Sequence, residues 1–486
     1  MNKLMCFLLG VLLIGVGVGC QPSEPPTASR ELPVRDGDDR LEQLETWLEA
    51  SGIPAVAVAL IRDGDVAWTA ALGRTARGEP VDPSSMFNVA SLTKPVFATM
   101  VLHLVAGGEI GLDQPVAEYF TDEDFAGDAR ESLLTPRLIL SHQTGLPNWR
   151  SIPALEFVAD PGETFSYSGE AYEYLLRAVE QKMSSADGQL VRGRVFEPAG
   201  MQSATLGWSD EVEERFAYGA DASSEPVTPW MSETRRTSFS AGGMVSSFED
   251  YARFVAWTLR GADLPKDLFD AIREREIRLG PHVSWGLGWT LLDVEQPDSA
   301  MGPMLYHGGG EDGTRTFVAV SPETRDGIVV FTNSSSGDAL IYQIVGALFD
   351  RGGAVLDRLS LMEMYTLRAY WESVDVSEDL DLHIVDIHEN PNRLPVLLLS
   401  AQHLLVERTG WPVAQKDASR QILGSLLDLV VKGQLSRSEQ ENLAGRLATP
   451  NPLGGLWHLR HDLSDGELER FVDHARTLAE RHAAEG

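Results

Sequence analysis

The sequence predicts an α/β fold: a mostly antiparallel sheet flanked by terminal helices, with an inserted helical subdomain and an all-helical C-terminal appendage. Three observations predict it. Residues 55–72 and 316–332 each read as a β-hairpin, so strand signal lies at both ends of one unit. Residues 106–250 between them read as mostly helical, with many breaks. Residues 353–486 carry little strand signal and several amphipathic helical stretches. A chain of 486 residues, 43% of them hydrophobic, has enough apolar material for two or more domains. Its formal net charge of −32 repels phosphate backbones, so nucleic acid is not an expected partner.

Residues 1–19 read as a signal, because Lys3 precedes an apolar run from Met5 to Gly19. The Gly19-Cys20 junction resembles a bacterial lipoprotein signal, with cleavage before Cys20 and lipid on its thiol; an uncleaved N-terminal anchor is the alternative. Both readings place the body outside the cytoplasm, exported and attached to the membrane of the cell envelope. Residues 20–37, with Pro22, Pro25 and Pro26, read as a flexible tether. Cys6 lies within the signal, so lipidation of Cys20 leaves no disulfide framework.

Residues 38–352 form the first folded unit. Leu41, Leu44, Trp47 and Leu48 recur at helical spacing until Gly52 and Pro54. Ala55 to Ile61 and Val66 to Leu72 are strands about the turn Arg62-Asp63-Gly64-Asp65. A helix follows Ser91 and runs to about Val105, where Gly107-Gly108 ends it. Thr135 to Leu140 is a short helix, Glu170 to about Lys182 a longer one, and a third follows Ala241-Gly242-Gly243-Met244. Strands return at Trp285–Thr290 and Met304–Tyr306, flanking a loop, then as the hairpin Thr316–Val320 and Ile328–Thr332. A helix from Asp338 to about Asp350 closes the unit. In residues 353–486, Leu359 to Trp371 and Ile422 to Val431 are amphipathic, and Ser436 with Glu439 and Ser464 with Glu467 have capping-box spacing.

The chemistry centres on Ser91-Leu92-Thr93-Lys94. Residues three apart on a helix share a face, so an amine would stand over the serine hydroxyl. A serine hydroxyl needs a base, and a lysine supplies one if burial keeps it neutral. Lysine is scarce here, and Lys94 alone among Lys3, Lys94, Lys182, Lys266, Lys416 and Lys432 has a serine three positions earlier. A capping serine followed by a solvated lysine is the bland alternative. His142, beside Gly145-Leu146-Pro147, reads first as a hydrogen-bonded structural residue. No H-E-x-x-H pair occurs, and no cofactor or metal is expected.

Taken together, the motifs of residues 38–352 resemble the penicillin-recognising serine hydrolases, in the branch of class C β-lactamases, serine DD-peptidases and related esterases. Ser91-Leu92-Thr93-Lys94 matches the first motif. Tyr167-Ser168-Gly169 stands where that branch carries Tyr-x-Asn, and His307-Gly308-Gly309 where it carries Lys/His-x-Gly. The resemblance implies a β-lactamase/transpeptidase-like fold and a small ester, amide or cell-wall peptide as substrate. It implies that Ser91 becomes acylated and that Lys94 helps deprotonate it. It implies that Tyr167 shuttles the proton, its pKa pulled down by Lys94 and His307. It also implies that the N–H groups of Ser91 and Gly310 form an oxyanion hole, and that Gly309 lets substrate lie along the strand edge. A buried core tyrosine is the alternative for Tyr167.

Two departures bear on substrate. Gly169 replaces an asparagine that could bond a substrate amide, and His307 replaces a permanent lysine charge. Both lean toward an esterase, or a peptidase of unusual substrate, over an efficient β-lactamase. A cell-wall sensor on the same fold, acylated but slow to turn over, is the competing class. His307-Gly308-Gly309-Gly310 also looks like an α/β-hydrolase oxyanion motif, but no G-x-S-x-G elbow follows it. Oligomeric state is not legible in the sequence.

Overall fold

The computed structural model describes residues 37–359, apart from residues 126, 151–154, 187, 222–223, 235–237, 281, 295–301 and 357. The expected signal segment, Cys20 with its tether, and the C-terminal extension from residue 360 onward lie outside the described residues. The chain divides into two units. The described part of the first consists mainly of the helix α1, Gly37–Ser51, and the helix Asp338–Leu348, which lie against each other.

The second unit, Gly52–Gly337, is built on one eight-stranded sheet. Strand β1 (Ala55–Arg62) has the apolar sequence Ala-Val-Ala-Val-Ala-Leu-Ile and is buried along nearly its whole length, as expected of a strand covered on both faces. Strand β2 (Asp65–Gly73) pairs with it and remains partly exposed, because it is an edge. The chain leaves the sheet after β2. Before returning it forms a two-stranded patch from β3 (Phe87–Asn88) and β4 (Val245–Ser246). It re-enters at the opposite edge through β5 (Ile277–Gly280) and then steps inward. The remaining strands are β6 (Val283–Trp285), β7 (Thr290–Leu292), β8 (Met304–Glu311), β9 (Thr314–Ser321) and β10 (Asp326–Thr332). Strand β10 closes on β1 with Val58 opposite Val330, giving the order β2-β1-β10-β9-β8-β7-β6-β5 with every neighbour antiparallel.

The sheet therefore has the antiparallel character expected, and residues 74–276 form an insert between its two edge strands. Two details differ. Strand β5 carries no periodic apolar signal and was not expected. Strand β8 continues past Tyr306 to Glu311, because pairing with β9 (His307 opposite Val318, Gly309 opposite Thr316) holds the three glycines extended.

Three helices of the insert position the site. The helix α2 (Thr93–Ala106) is apolar around nearly its whole circumference and its first ten residues are all buried, so it is a core helix. The helix α3 (Pro136–Leu140) starts at Thr135, whose hydroxyl accepts the Leu138 N–H, with proline in the first turn. The helix α4 (Gly169–Met183) is capped by the Ser168 hydroxyl, which accepts the Ala171 N–H. Phe87, Leu92, Phe97, Tyr172, Tyr251, Val318 and Phe331 belong to one buried cluster that joins insert to sheet. Each such side chain contributes about 1.5–3 kcal/mol by leaving water.

Candidate active site

Ser91 sits in a tight turn, Ala90–Leu92, just before α2. Ala90 has φ +48°, a left-handed conformation that costs a non-glycine residue free energy. Its neighbours hold it there. The Asn88 carboxamide oxygen accepts the Ala90 N–H at 2.8 Å, and the Thr93 hydroxyl donates to the Ala90 carbonyl at 2.7 Å. Strand β8 runs directly against this turn. A Cβ on Gly309 would stand 2.5 Å from the Val89 carbonyl oxygen and 3.2 Å from the Ser91 nitrogen. Gly309 is thus required by the nucleophile turn itself, a closer constraint than room for substrate along the strand. Gly310 follows it, and there the nearest atoms to a Cβ would be those of the flexible Arg315 side chain, at 3.3–3.4 Å.

Lys94 projects from the first turn of α2. Its Nζ donates to the Ser91 Oγ at 3.4 Å and to the Ala241 carbonyl at 2.6 Å. Because α2 is a core helix, the Lys94 side chain is buried. Burial pulls its pKa down to about 7, although the Glu173 and Glu311 carboxylates oppose the shift. Glu173 also shapes the partner. Its Oε1 accepts the Ser240 hydroxyl at 2.8 Å and the Ala241 N–H at 3.0 Å, fixing the segment whose carbonyl holds Nζ.

The Tyr167 ring lies 4.7 Å from Nζ. His142 brackets this tyrosine: its carbonyl accepts the Ser166 N–H at 2.7 Å, and its Nδ1 accepts the Ser168 N–H at 3.0 Å. The His142 ring lies tilted against Tyr167, at 4.2 Å between centroids. Trp285 meets both the Tyr167 ring, at 5.8 Å, and the His307 ring, at 5.6 Å. His307 is buried, and its Nδ1 donates to the Gly308 carbonyl at 2.7 Å. That bond leaves Nε2 as an acceptor, and this atom is buried with no hydrogen-bond partner among the described residues. Burial, with Lys94 nearby, pushes the His307 pKa down to about 3, so the imidazole is neutral.

One electrostatic expectation is overturned. Tyr167 is not acidified: burial pushes its pKa well above the ordinary phenol value, and the Ser91 hydroxyl only partly offsets this. The physical reason is that neither expected cation is permanent. Lys94 is held near neutrality and His307 is uncharged.

The residues read from the sequence, Ser91, Lys94, Tyr167, His307, Gly309 and Gly310, come from three distant stretches and converge here. Others escaped notice. Glu311 follows Gly310 on β8; its Oε2 accepts the Asn88 amide at 2.8 Å and the Trp230 indole N–H at 3.0 Å, and burial raises its pKa to about 7. Strand alternation could have found it, because Glu311 lies two residues beyond Gly309 on the same face. At Gly169, a Cβ would stand 2.4 Å from the Trp149 ring. The indole therefore occupies the space an asparagine side chain would need. Trp149 stacks on Phe239 at 5.5 Å, and Phe239 meets Trp230 edge-on at 5.0 Å. Nothing in the local pattern around Gly169 announces this aromatic wall.

The chain is similar to known proteins. The family model described as Beta-lactamase matches residues 39–343. The Unguisins hydrolase ungD' of Aspergillus campestris (strain IBT 28561) is 22% identical over 356 residues, covering 64% of this chain and 65% of that protein. The chain thus spans just under two-thirds of that relative's length. The Esterase EstB of Burkholderia gladioli is 26% identical over 306 residues, covering 51% of this chain and 77% of EstB. A solved structure described as EstCE1, a hydrolase with promiscuous acyltransferase activity, superposes with a TM-score of 0.53 at 18% identity. It covers 66% of this chain and 98% of its own, a likeness of fold.

Proposed function

Because the chain belongs to the β-lactamase family of serine hydrolases, we propose that it hydrolyses esters through a covalent acyl-enzyme on Ser91. The observation that carries this reading is the buried Lys94 amine, 3.4 Å from the Ser91 Oγ and held near neutrality by burial. Neutral Nζ takes the proton of Oγ as Oγ attacks the ester carbonyl carbon. The developing oxyanion faces the N–H groups of Ser91 and of Gly310, the latter on β8, which runs against the Ser91 turn. Tyr167, protonated in the resting enzyme, relays the proton from the Lys94 ammonium to the departing alkoxide. Water then attacks the acyl carbonyl by the reverse of these transfers, releasing the acid and restoring Ser91. Tyr167 is therefore a relay, and the first base is Lys94.

Ester is favoured over amide and β-lactam by two features. Trp149 fills the space where an asparagine amide would meet a substrate amide, and His307 offers no charge to a substrate carboxylate. The names of EstB and EstCE1 point the same way. The sequence of residues 1–20 supports a place in the cell envelope, with lipid on Cys20 and the hydrolase outside the cytoplasm.

The test is a substrate panel on residues 38–486 beside the Ser91→Ala variant: short-chain p-nitrophenyl esters, nitrocefin and a D-alanyl-D-alanine peptide. Ester turnover that outruns the other two and disappears in Ser91→Ala is the expected result. Faster turnover of nitrocefin or the peptide would overturn the ester assignment. Labelling of Ser91 without release of product would make the protein a slow-turnover sensor.

A further inference from the structure

We infer that the site selects esters carrying an ammonium group close to the scissile bond, held between the Glu311 carboxylate and the aromatic wall of Trp230, Phe239 and Trp149. The inference rests on the Ser91 acyl-transfer reading.

The placement comes from strand geometry. Side chains alternate across β8, so His307, Gly309 and Glu311 share the face that meets the nucleophile turn. Arg315 pairs opposite Gly310 on the other face, and its guanidinium donates to the Glu311 and Thr314 carbonyls, each at 2.7 Å. The Glu311 carboxyl is half-used. Oε2 accepts from Asn88 and Trp230, while among the described residues no hydrogen bond reaches Oε1 and no ion pair reaches the carboxyl. Oε1 borders the reacting centre: a Cβ on Gly242 would stand 3.3 Å from it and 3.7 Å from the Ala90 carbonyl carbon.

The surroundings suit a cation. Trp230, whose N–H holds Oε2, meets Phe239 edge-on, and Phe239 stacks on Trp149; both tryptophans are half-buried. Aromatic faces attract ammonium groups, and more strongly when water is excluded. A carboxylate taken partly out of water is costly until an opposite charge joins it. Burial has pushed the Glu311 pKa to about 7, and an ammonium beside Oε1 would restore its ionised form. An anionic substrate would meet this carboxylate and a neutral His307.

The test compares cationic esters with neutral esters of the same shape, so that size cancels. One pair is butyrylcholine against 3,3-dimethylbutyl butyrate, with the charge on the leaving group. The other is ethyl 4-(trimethylammonio)butyrate against ethyl 5,5-dimethylhexanoate, with the charge on the acyl group. In at least one pair kcat/KM should favour the cation about tenfold or more, the range of a charge-assisted contact with cation–π support. Glu311→Gln should remove most of that ratio, and Trp149→Leu, which leaves the carboxyl and its two donors in place, should lower it. Equal rates within both pairs overturn the inference. So does a Glu311→Gln variant that slows both members alike, since the carboxyl would then only position Asn88 and Trp230. Should neither pair turn over while a p-nitrophenyl ester does, inhibition of that ester by butyltrimethylammonium decides: inhibition weakened by Glu311→Gln supports the site, and none overturns it. Loss of all Ser91-dependent turnover would instead overturn the acyl-transfer reading on which the inference stands.

Discussion

Lys94 and Glu311 flank the same serine, and burial moves both toward a pKa of about 7 from opposite directions. Their settings differ. Lys94 stands on a core helix, almost wholly buried, with a backbone carbonyl 2.6 Å from its amine. Glu311 stands at the end of a strand, half-buried, with one oxygen occupied and aromatic rings beside it. One physical cause, desolvation, thus yields two devices. A deeply buried group near neutrality can take the proton of the hydroxyl it touches, which suits a base. A half-open one can exchange its missing solvation for a ligand, which suits recognition.

The comparison is sharpened most by replacing the deeply buried group. Lys94→Met should lower kcat by about 10²–10⁴-fold, the usual worth of general-base help. The same variant carries a stability signature. The folded-state pKa of Lys94 is depressed, so between about 7 and the ordinary lysine value the unfolded chain binds a proton that the folded chain does not. Stability contributed by this group therefore rises with pH across that window. The stability of Lys94→Met relative to wild type should be highest at and below pH 7 and should fall toward pH 10. Urea melts at several pH values measure it. A pH-independent difference would mean that Lys94 keeps its ordinary pKa and is not the resting base.

Part of this arrangement was legible in the sequence. The strand pairs at both ends, the insert between them and the capped helices follow from periodicity and punctuation, which are local. Ser91 and Lys94 were legible because three positions on a helix are one face. Burial was not: the acidity of Tyr167 depends on whether its neighbours remain charged, and that depends on how deeply α2 and β8 lie. Strand β5 was missed because a short edge strand, here Ile-Arg-Leu-Gly, needs little apolar periodicity. The aromatic wall was missed because Trp149, Trp230 and Phe239 meet only in three dimensions.

A second, smaller effect separates the wall from the motif it replaces. Gly169→Asn places a side chain where the Trp149 ring stands 2.4 Å from the Cβ position. Overpacking of this kind costs about 1–3 kcal/mol. Trp149→Ala in the same chain should recover most of that loss and open space for the asparagine amide. Denaturant midpoints of the single and double variants check the packing. Nitrocefin acylation, faster in the double variant than in wild type, would check that the tryptophan and the amide are alternative ways of lining one subsite. A Gly169→Asn variant as stable as wild type would mean that the ring yields without cost.

The smallest effect tests how the deeply buried side is tuned. Glu173 is the leading charge that raises the pKa of Lys94 against its burial, and it also holds the Ala241 N–H. Glu173→Gln removes the charge while keeping an acceptor oxygen. Lys94 must be neutral to take the Ser91 proton, so activity climbs as pH rises through its pKa. His142 and His307, which also face the amine, are already neutral there and do not contribute charge. Removing the Glu173 charge should therefore move the ascending limb of the kcat/KM profile to lower pH, with only a modest loss at the plateau. A limb that stays near pH 7 would assign Glu173 to holding the Ala241 segment alone. A limb that moves upward would mean that the titrating base is a group other than Lys94.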